Sequence, residues 1–432
     1  MLTTAVHCAA IAVLDNPVRP YAWGSRTAIP ALLGLPPSGQ PQAELWMGAH
    51  PAAPSSVRCG DRHESLLARI EADPLGELGE DVVAEFGSRL PFLLKVIAAD
   101  APLSMQAHPD AAQALEGYAE ENARGIPTDA PERNYRDSSH KPELLVALGG
   151  FDALCGFRSV PETVKLLDSL VSCAGAAPAR SPEAKAAAVL RPHLAALHAR
   201  PDQDGLREVV TGLLTLPGQR RHGLVSAVAA ACRRCAEPAA GSAAGAAVPF
   251  AAEFRTAAAL ADAYPGDVGV VIALLLNLVH LEPGDAVFLP PGNLHAYLRG
   301  MAVEIMANSD NVLRGGLTPK HVDVPELLRV LDVVAGPGAM PRPRPVGPAE
   351  EVYRAPVREF RLSRLRMAGP DPVRLAAGGP QILLVVDGAV TVADGGGEAV
   401  RLGRGASAWI PAGVTVTVAG DGTAFRATTN LR

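Results

Sequence analysis

The chain has 432 residues, of which 48% are hydrophobic and 19% are charged, a composition typical of globular proteins rather than disordered ones. A single core seldom grows to this length, so we expect about two or three domains. The net charge of -6 argues against a general nucleic-acid binder, which needs excess basic residues to neutralise phosphates. An anionic small substrate would need only a local basic cluster.

The first predicted element is a strand within residues 1–15. Its sequence, MLTTAVHCAAIAVLD, is apolar but lacks the positively charged start of a signal peptide, and Asp15 interrupts it too early for a membrane span. The internal apolar run at 268–279 is likewise too short to cross a bilayer. We therefore expect a cytoplasmic protein that does not associate with membranes.

The first hundred residues and the middle of the chain carry different patterns. Residues 1–100 alternate short apolar runs with Pro and Gly turns, which indicates β-strands. Residues 159–265 instead repeat apolar positions at helical spacing, and Ser159 is the predicted N-cap of the first helix, with Pro161 in its first turn. This middle block is predicted to be a helical domain.

Beyond the helical block the sequence returns to strands. Within the block, the Ala/Gly-rich segment at 239–247 indicates a flexible link between helices. After residue 280, strand and turn patterns continue to the end of the sequence, apart from a short helix predicted at 324–331. The predicted fold is mainly β with an α-helical insertion.

Cysteine usage gives little evidence for a disulfide framework, because the residues are scattered through a long chain. The pair CRRC at 232–235 has the spacing of half a zinc knuckle, but the sequence has no second CxxC and the surroundings are Ala-rich and helical. Two thiols on one helix face are the favoured interpretation. The cysteines occupy positions 8, 59, 155, 173, 232 and 235.

A polar pattern follows the apolar run LPFLLKVIAA, which is predicted to be a buried strand. In the next stretch, LSMQAHPD at 103–110, the side chains of Ser104, Gln106 and His108 would share one face of an extended chain. Taken alone, such a stretch is most often a solvated edge strand. Whether this stretch forms a functional site therefore depends on other segments that supply further polar side chains.

Residues 284–295 supply the first such side chain, a histidine. Their sequence, GDAVFLPPGNLH, has the spacing of the second cupin motif, in which a strand and a tight turn direct a histidine, here His295, into a jelly-roll barrel. The Asn that usually closes this motif is replaced by Arg299, which we interpret as a surface residue. His295 is therefore a candidate metal ligand.

The first cupin motif has its counterpart in Gln106 and His108, with Glu143 of NYRDSSHKPE as the downstream carboxylate. Two imidazoles, a carboxylate and an amide oxygen can form an open metal site with room for water or substrate. Two alternatives stay open. Glu143 could serve only as a salt-bridge partner of Lys141, and Gln106 could act only through hydrogen bonds.

The same glycine and proline spacing returns in GASAWIPAGVTV at 405–416, but Val416 stands where the histidine would be. We therefore expect the C-terminal barrel to be structural and to bind no metal. The predicted organisation is a catalytic cupin domain formed by 1–158 and 266–330, a helical domain at 159–265, and a second cupin-like jelly roll at 331–432.

Six blocks of the sequence resemble the type I mannose-6-phosphate isomerases, also called phosphomannose isomerases, of the cupin superfamily. Departures from that family's pattern are small: Met105 stands where a β-branched residue is common, and Ser139 replaces the usual Asn before His140. The blocks are YAWG (21–24), AELWMGAHP (43–51), LSMQAHPD (103–110), HKPEL (140–144), PPGNLHAY (290–297) and EIMANSDNVLRGGLTPK (304–320).

This resemblance implies an enzyme that interconverts mannose 6-phosphate and fructose 6-phosphate, with Arg314 at the family's marked catalytic position. It implies one zinc ion per chain, bound by Gln106, His108, Glu143 and His295. The other implied catalytic residues are His140, Lys141, Glu304 and Asp310, and the implied substrate-binding residues are Trp23, Glu44, Ser104 and Lys320. Trp46 and His50 are expected to line or support the pocket.

The implied reaction moves a proton between C1 and C2 of the sugar through an enediol, which demands acid/base groups and positive charge near the developing anion. Which group removes the proton stays open among Glu304, Lys141, His140 and Asp310. A lysine would need a lowered pKa to act as the base.

Two other functions compete with this one: a metal-dependent cupin of another reaction class, such as an oxygenase, and a sugar-phosphate-binding regulator. An added Gln with nearby Lys and Arg suits a redox-inert sugar-phosphate site better than a redox-iron site. The expected partner is therefore a small sugar phosphate, with no nucleic acid or membrane, and the chain is expected to be a monomer.

Overall fold

The structure is a computed structural model that describes residues 11–59, 62–237, 248–336, 338–376 and 378–431. The fold is mixed, with two antiparallel sheets and a block of helices. Most of the predicted N-terminal strand and the predicted link at 239–247 lie outside the described residues.

The strands are numbered in chain order. They are β1 (Ala12–Asp15), β2 (Val18–Arg19), β3 (Glu44–Met47), β4 (Ser56–Cys59), β5 (Arg62–Ser65), β6 (Phe92–Ala99), β7 (Met105–Ala107), β8 (Glu143–Ala147), β9 (Phe151–Phe157), β10 (Leu276–Leu281), β11 (Ala286–Leu289), β12 (His295–Ala307), β13 (Leu313–Gly316), β14 (Arg344–Pro345), β15 (Glu350–Tyr353), β16 (Arg361–Leu375), β17 (Gln381–Asp394), β18 (Ala399–Gly403), β19 (Ser407–Ile410) and β20 (Val416–Thr428).

The helices are numbered in the same way. They are α1 (Ala28–Leu33), α2 (Leu66–Ala72), α3 (Pro74–Leu78), α4 (Glu80–Phe86), α5 (Ala111–Ala123), α6 (Val160–Gly175), α7 (Pro182–Ala199), α8 (Gln203–Leu214), α9 (Gly218–Cys235), α10 (Ala251–Ala263), α11 (Gly269–Ala273) and α12 (Val324–Val330).

The first sheet is centred on β12, the long strand that begins at His295. Its principal order is β10-β9-β12-β6-β3-β2, and β7, β8, β11 and β13 also join it. The start of β12 pairs with β9 and β7, whereas its later part pairs with β6 and β8. The strands that carry Gln106, Glu143 and His295 therefore meet along β12.

The second sheet combines both ends of the described chain. Its order is β14-β15-β16-β20-β17-β19-β1-β4-β5, with β18 beside β17, and Ala12 of β1 is opposite Trp409 of β19. The N-terminal strands therefore complete the sheet built by the C-terminal strands. This pairing crosses the predicted boundary between the segments 1–158 and 331–432.

One apolar cluster packs the two sheets together, with Leu94 and Val303 from the first sheet and Leu384 and Trp409 from the second. Another cluster lies within the second sheet and includes Val416, which is fully buried. The position that corresponds to His295 in the repeated motif is thus part of an apolar core.

The stretch predicted to be helical, 159–265, contains helices α6 to α10. Ser159 accepts a hydrogen bond from the Glu162 N–H at 3.3 Å, and Pro161 lies in the first turn of α6. The core of this block extends to the first sheet through buried Met105 and Leu294. It therefore covers one face of the sheet that carries the site.

The prediction that residues 1–100 contain only strands is wrong, because four short helices, α1 to α4, lie there. Two of them have local caps: Ser65 accepts from the Ala68 N–H, and Asp73 accepts from the Gly76 N–H. Such polar caps before short apolar segments are a helix signal that the Pro and Gly turns obscured. The helix predicted at 324–331 is confirmed as α12.

The expectation of two thiols in CRRC is wrong for Cys235, which forms a disulfide with Cys173 of α6. Cys232 is a buried free thiol on the same helix. The partner of Cys235 lies far away in the sequence, so the local spacing held no information about it. No helix in the described ranges is long and apolar enough to cross a membrane.

Candidate metal centre and active site

A buried group of three side chains, His108, Glu143 and His295, has the donors and spacing of a metal site. The Nε2 atoms of His108 and His295 lie 3.3 Å from the two different oxygens of Glu143. Both Nε2 atoms and Glu143 Oε2 are buried and make no hydrogen bond with the described part of the chain. Buried polar atoms rarely lack partners, so this donor set fits a metal ion bound by nitrogen and oxygen.

The other nitrogen of each imidazole is already engaged. His108 Nδ1 lies 2.7 Å from the Asn311 carbonyl oxygen, and His295 Nδ1 lies 3.0 Å from the Asn293 carbonyl oxygen. Because a carbonyl only accepts, both Nδ1 atoms carry the proton and leave the Nε2 lone pairs directed at Glu143. Burial, with help from the Lys141 charge, lowers the pKa of His108 to about 4, so its ring is neutral at pH 7, as metal binding requires.

Gly292 connects the two segments that supply the histidines. Its φ of 77° is left-handed, and a Cβ at this position would lie 2.9 Å from the Asp332 Cβ. The Gly292 N–H donates to the His108 carbonyl oxygen at 2.8 Å. The tight turn predicted from PPGNLH therefore places His295 beside β7 and His108, the residue that follows it.

Gln106, the predicted fourth ligand, is opposite His295 of β12 and Arg314 of β13. Directly opposed residues in antiparallel strands share a face, so Gln106 lies on the same side of the sheet as His295. Its side chain makes no hydrogen bond with residues that the structure describes. Its role as a metal ligand stays a prediction.

Lys141 lies beside the metal group, with its Nζ atom 3.1 Å from Glu143 Oε1. Glu143 therefore has both predicted environments, as a neighbour of two imidazoles and as the ion-pair partner of Lys141. Although burial alone would raise it, the pKa of Glu143 is held well below its usual range by Lys141 and His108. The carboxylate is thus ionised and available to a cation.

A buried lysine, Lys95, was missed by the sequence analysis. Its Nζ atom lies 3.5 Å from Glu304 Oε2, 3.8 Å from Glu44 Oε2 and 5.2 Å from the centre of the Trp46 ring. A usable signal was present, because Lys95 is the single charge in the apolar strand FLLKVIAA, and a buried charge requires a partner.

Glu304 and Lys95 shift each other's pKa. Burial raises the pKa of Glu304 to about 7, the charge on Glu143 acts in the same direction, and Lys95 opposes both. Although burial alone would lower it, the pKa of Lys95 is raised by Glu44 and Glu304. Glu304 is therefore a carboxyl that can hold or release a proton near neutral pH.

Tyr297 supports Glu304 through a buried hydrogen bond, in which its hydroxyl donates to Glu304 Oε1 at 2.7 Å. We expect Tyr297→Phe to lower the unfolding free energy of the metal-free protein by about 1.5–3 kcal/mol at pH 8, where Glu304 is ionised. The loss should be smaller at pH 6, below the pKa of Glu304, because the acceptor is then neutral. Denaturant titrations at both pH values measure this.

The matched control for that variant is Tyr264→Phe. The Tyr264 hydroxyl donates to a neutral carbonyl, that of Pro102, at 2.8 Å. Its loss should cost less at pH 8 and should not change between the two pH values. Equal losses for both variants would contradict the assigned bond between Tyr297 and the Glu304 carboxylate.

Asp310 and Asn311 make the contacts that hold the segments around the metal group, Asp310 with His50 and Asn311 with the residues before the HKPE loop. His50 Nε2 lies 3.3 Å from Asp310 Oδ1; burial alone would raise the pKa of Asp310, but this contact lowers it to about 2. The buried Asn311 amide donates to the backbone oxygens of Asp137 at 2.7 Å and Ser139 at 2.8 Å. The side chain of Asn311 therefore holds the segment that leads into the HKPE loop, and its carbonyl oxygen orients the His108 ring.

A cluster of three cations, Arg136, Arg314 and Lys320, lies near this loop. Burial lowers the pKa of Arg314 and of Lys320, and the charges of the neighbouring cations act in the same direction. None of the three forms an ion pair with a residue that the structure describes. Arg136, at the edge of the NYRDSSHKPE stretch, was missed by the sequence analysis, which singled out the other two.

Strand β13 contains a β-bulge directly after Arg314. The pairing of β13 with β7 shifts between Arg314 and Gly316, so Gly315 has no partner in the ladder. Gly316 has a φ of 133°, and a Cβ there would lie 2.8 Å from the Gly269 Cα of α11. Close packing against α11 thus requires the glycine two residues after the arginine.

The remaining predicted site residues lie in varied surroundings. Ser104 is half-buried, and its hydroxyl makes no hydrogen bond with the described residues. Trp23 stacks on Tyr21 at 5.8 Å and packs against an apolar cluster, but it makes no described contact with the metal group. Glu44 accepts a hydrogen bond from the Trp46 indole at 2.5 Å.

The chain is similar to known proteins over most of its length. The family model for phosphomannose isomerase type I, catalytic domain, matches residues 11–160. The mannose-6-phosphate isomerase of Escherichia coli is 40% identical over 95% of this chain and 97% of that protein. The human mannose-6-phosphate isomerase is 32% identical, with 87% of each chain covered.

Solved structures give the same relationship. A zinc-bound mannose 6-phosphate isomerase superposes with a TM-score of 0.84 at 36% identity, covering 98% of this chain and 100% of that one. A variant of phosphomannose isomerase from Salmonella typhimurium gives a TM-score of 0.85 at 35% identity with the same coverage. With a shared fold, shared sequence over nearly the whole length and a matching catalytic-domain model, this chain belongs to the type I phosphomannose isomerase family.

Proposed function

We propose that the chain interconverts D-mannose 6-phosphate and D-fructose 6-phosphate. The observation that carries this proposal is the group of His108, Glu143 and His295, whose inward donor atoms lack hydrogen-bond partners among the described residues. The ionisable side chains that an aldose–ketose isomerisation requires lie beside this group. The family relationship supports the same activity.

Zinc fits this donor set, and one ion per chain would be held by Gln106, His108, Glu143 and His295. When bound, zinc supplies Lewis-acid stabilisation of negative charge on substrate oxygens, worth several kcal/mol. The Gln ligand and the nearby cations favour this redox-inert chemistry over an oxygenase.

The proton moves between C1 and C2 of the sugar, and four side chains of the site could transfer it, namely His140, Lys141, Glu304 and Asp310. Asp310 is already ionised near neutral pH and is a weak base, because its pKa is lowered to about 2. Lys141 is engaged with Glu143 at 3.1 Å. This leaves Glu304, with a pKa of about 7, and the imidazole of His140 as the best-suited pair, since imidazoles serve as acids and bases near neutral pH.

The chain has a net negative charge, so binding of the substrate phosphate requires a local cluster of basic residues. Arg314 and Lys320, together with Arg136, provide it, and Ser104 adds a hydroxyl donor. We also assign Arg314 to stabilisation of the enediolate, because its guanidinium has no ion-pair partner among the described residues. We assign Glu44 and Trp23 to the sugar-binding wall of the same pocket.

At the level of the fold, we propose a catalytic cupin jelly roll formed by 1–158 and 266–330, with the helical domain at 159–265 covering it. The first sheet supplies most of its strands, whereas β1, β4 and β5 of 1–158 complete the second sheet. The segment 331–432 forms a second cupin-like barrel with a structural role, since buried Val416 replaces a metal ligand. We further propose that the protein acts as a cytoplasmic monomer and that nucleic acids and membranes are not among its partners.

A coupled assay tests the proposed activity. The purified chain should convert mannose 6-phosphate to fructose 6-phosphate, lose turnover after dialysis against a chelator, and regain it with zinc but not with magnesium. Replacing mannose 6-phosphate by unphosphorylated mannose provides the control for the basic cluster. Full turnover in metal-free protein, or no turnover in the zinc-loaded protein, would reject the proposal.

A further inference from the structure

A carboxylate of the C-terminal segment contacts the HKPE loop. His140 Nε2 lies 2.7 Å from Glu359 Oε1, and the two side chains are 26% and 18% exposed. Glu359 lies between β15 and β16 of the second sheet, whereas His140 precedes Lys141 and Glu143 of the metal site. This contact joins the second sheet to the loop that carries the chemistry.

The backbone around Glu359 is held in place. The other carboxylate oxygen accepts from the Arg358 N–H at 3.2 Å. Asn430, near the end of the chain, donates through its backbone N–H to the Arg358 carbonyl at 3.0 Å and through its side chain to the Val357 carbonyl at 2.7 Å. The next residue, Phe360, is fully buried. The carboxylate therefore has little freedom to move away from His140.

The contact determines the state of the imidazole. Although burial alone would raise it, the pKa of Glu359 is lowered by the bond to His140, so this carboxylate is an anion that only accepts. His140 Nε2 therefore carries a proton, and in the neutral ring Nδ1 is left as the acceptor, with no partner among the described residues. A carboxylate that orients an imidazole in this way is a recurring device in acid/base catalysis.

We propose that Glu359 is a positioning residue for the isomerisation, acting from the C-terminal barrel by holding the ring and tautomer of His140. This inference rests on the proposed function. It gives the second barrel a part in catalysis besides structural support. Its effect should appear in turnover and leave substrate affinity unchanged, because Glu359 touches neither the metal group nor the cation cluster.

The test compares Glu359→Ala with a neighbouring control, Arg358→Ala. Arg358 Nη1 contacts Glu85 Oε1 at 2.5 Å, so this side chain connects the same segment to α4 without touching His140. In zinc-loaded protein we expect Glu359→Ala to lower kcat by about 10- to 100-fold, the range seen for residues that orient a functional histidine, with KM within about twofold of the parent. Arg358→Ala should keep kcat, and Glu359→Asp should recover part of the loss.

A double-mutant cycle tests whether Glu359 affects kcat through His140. If Glu359 acts through His140, adding Glu359→Ala to His140→Ala should cause no further loss of kcat. A fully additive loss, a kcat for Glu359→Ala no lower than for Arg358→Ala, or a loss explained by missing zinc would overturn the inference. The parent chain is assayed first, so a missing isomerase activity, which would reject the proposed function, is distinguished from an indifferent Glu359.

Discussion

Replacing His108 or His295 by alanine is expected to remove both bound zinc and measurable turnover. Each histidine directs an Nε2 atom without a hydrogen-bond partner at Glu143. Each is also almost completely buried, so side chains on the protein surface cannot replace it as a ligand. Without the ion, the charge that develops on the substrate loses several kcal/mol of stabilisation. Metal analysis of the purified variants, together with steady-state kinetics, measures both losses.

His280→Ala is the matched control for these variants. His280 is an exposed histidine of β10 that lies 2.6 Å from Asp152, away from the metal group. It should keep one zinc per chain and parental turnover. Full zinc occupancy in both His108→Ala and His295→Ala would show that these residues are not the ligands, whatever happens to activity.

Arg314→Ala is expected to keep the fold and the zinc but to lose about 2–4 kcal/mol of transition-state stabilisation, the scale seen when a preorganised donor is removed. This corresponds to a loss of roughly 30- to 900-fold in kcat/KM. The physical reason is that Arg314 is a half-buried cation without an ion-pair partner among the described residues, so its charge is available to the substrate. Arg314→Lys should recover part of the loss, because the charge remains but the planar fork of donors does not.

The control is Arg299→Ala, which removes an exposed arginine from β12. Its kcat/KM should equal that of the parent, and zinc content should be the same in all the arginine variants. If zinc-loaded Arg314→Ala retains a kcat/KM within a few fold of the parent, then Arg314 is not the catalytic residue that we infer.

Features with a local physical cause were readable from the sequence. The glycine and proline spacing of GDAVFLPPGNLH predicted the turn at Gly292, because the backbone there needs a left-handed φ. The helical period predicted the block that begins at Ser159, because the cap and apolar face are set within a few residues. The histidines and Glu143 followed from such spacings, and the structure brings them together.

Features that join distant segments had no such local signal. Nothing near Ala12 indicates that its strand pairs with Trp409, and nothing near Cys173 indicates its bond to Cys235. The short helices before residue 87 were obscured by the turns around them.

The sequence alone therefore indicates which residues could bind a metal and where the main helices begin, because those properties depend on donor chemistry and on local φ and ψ preferences. The contacts of Lys95 with Glu44 and Glu304, of Arg136 with the other cations and of Glu359 with His140 could be seen only in the folded chain. These contacts depend on how two sheets pack, which is set by the apolar faces of both sheets acting together and not by any one segment.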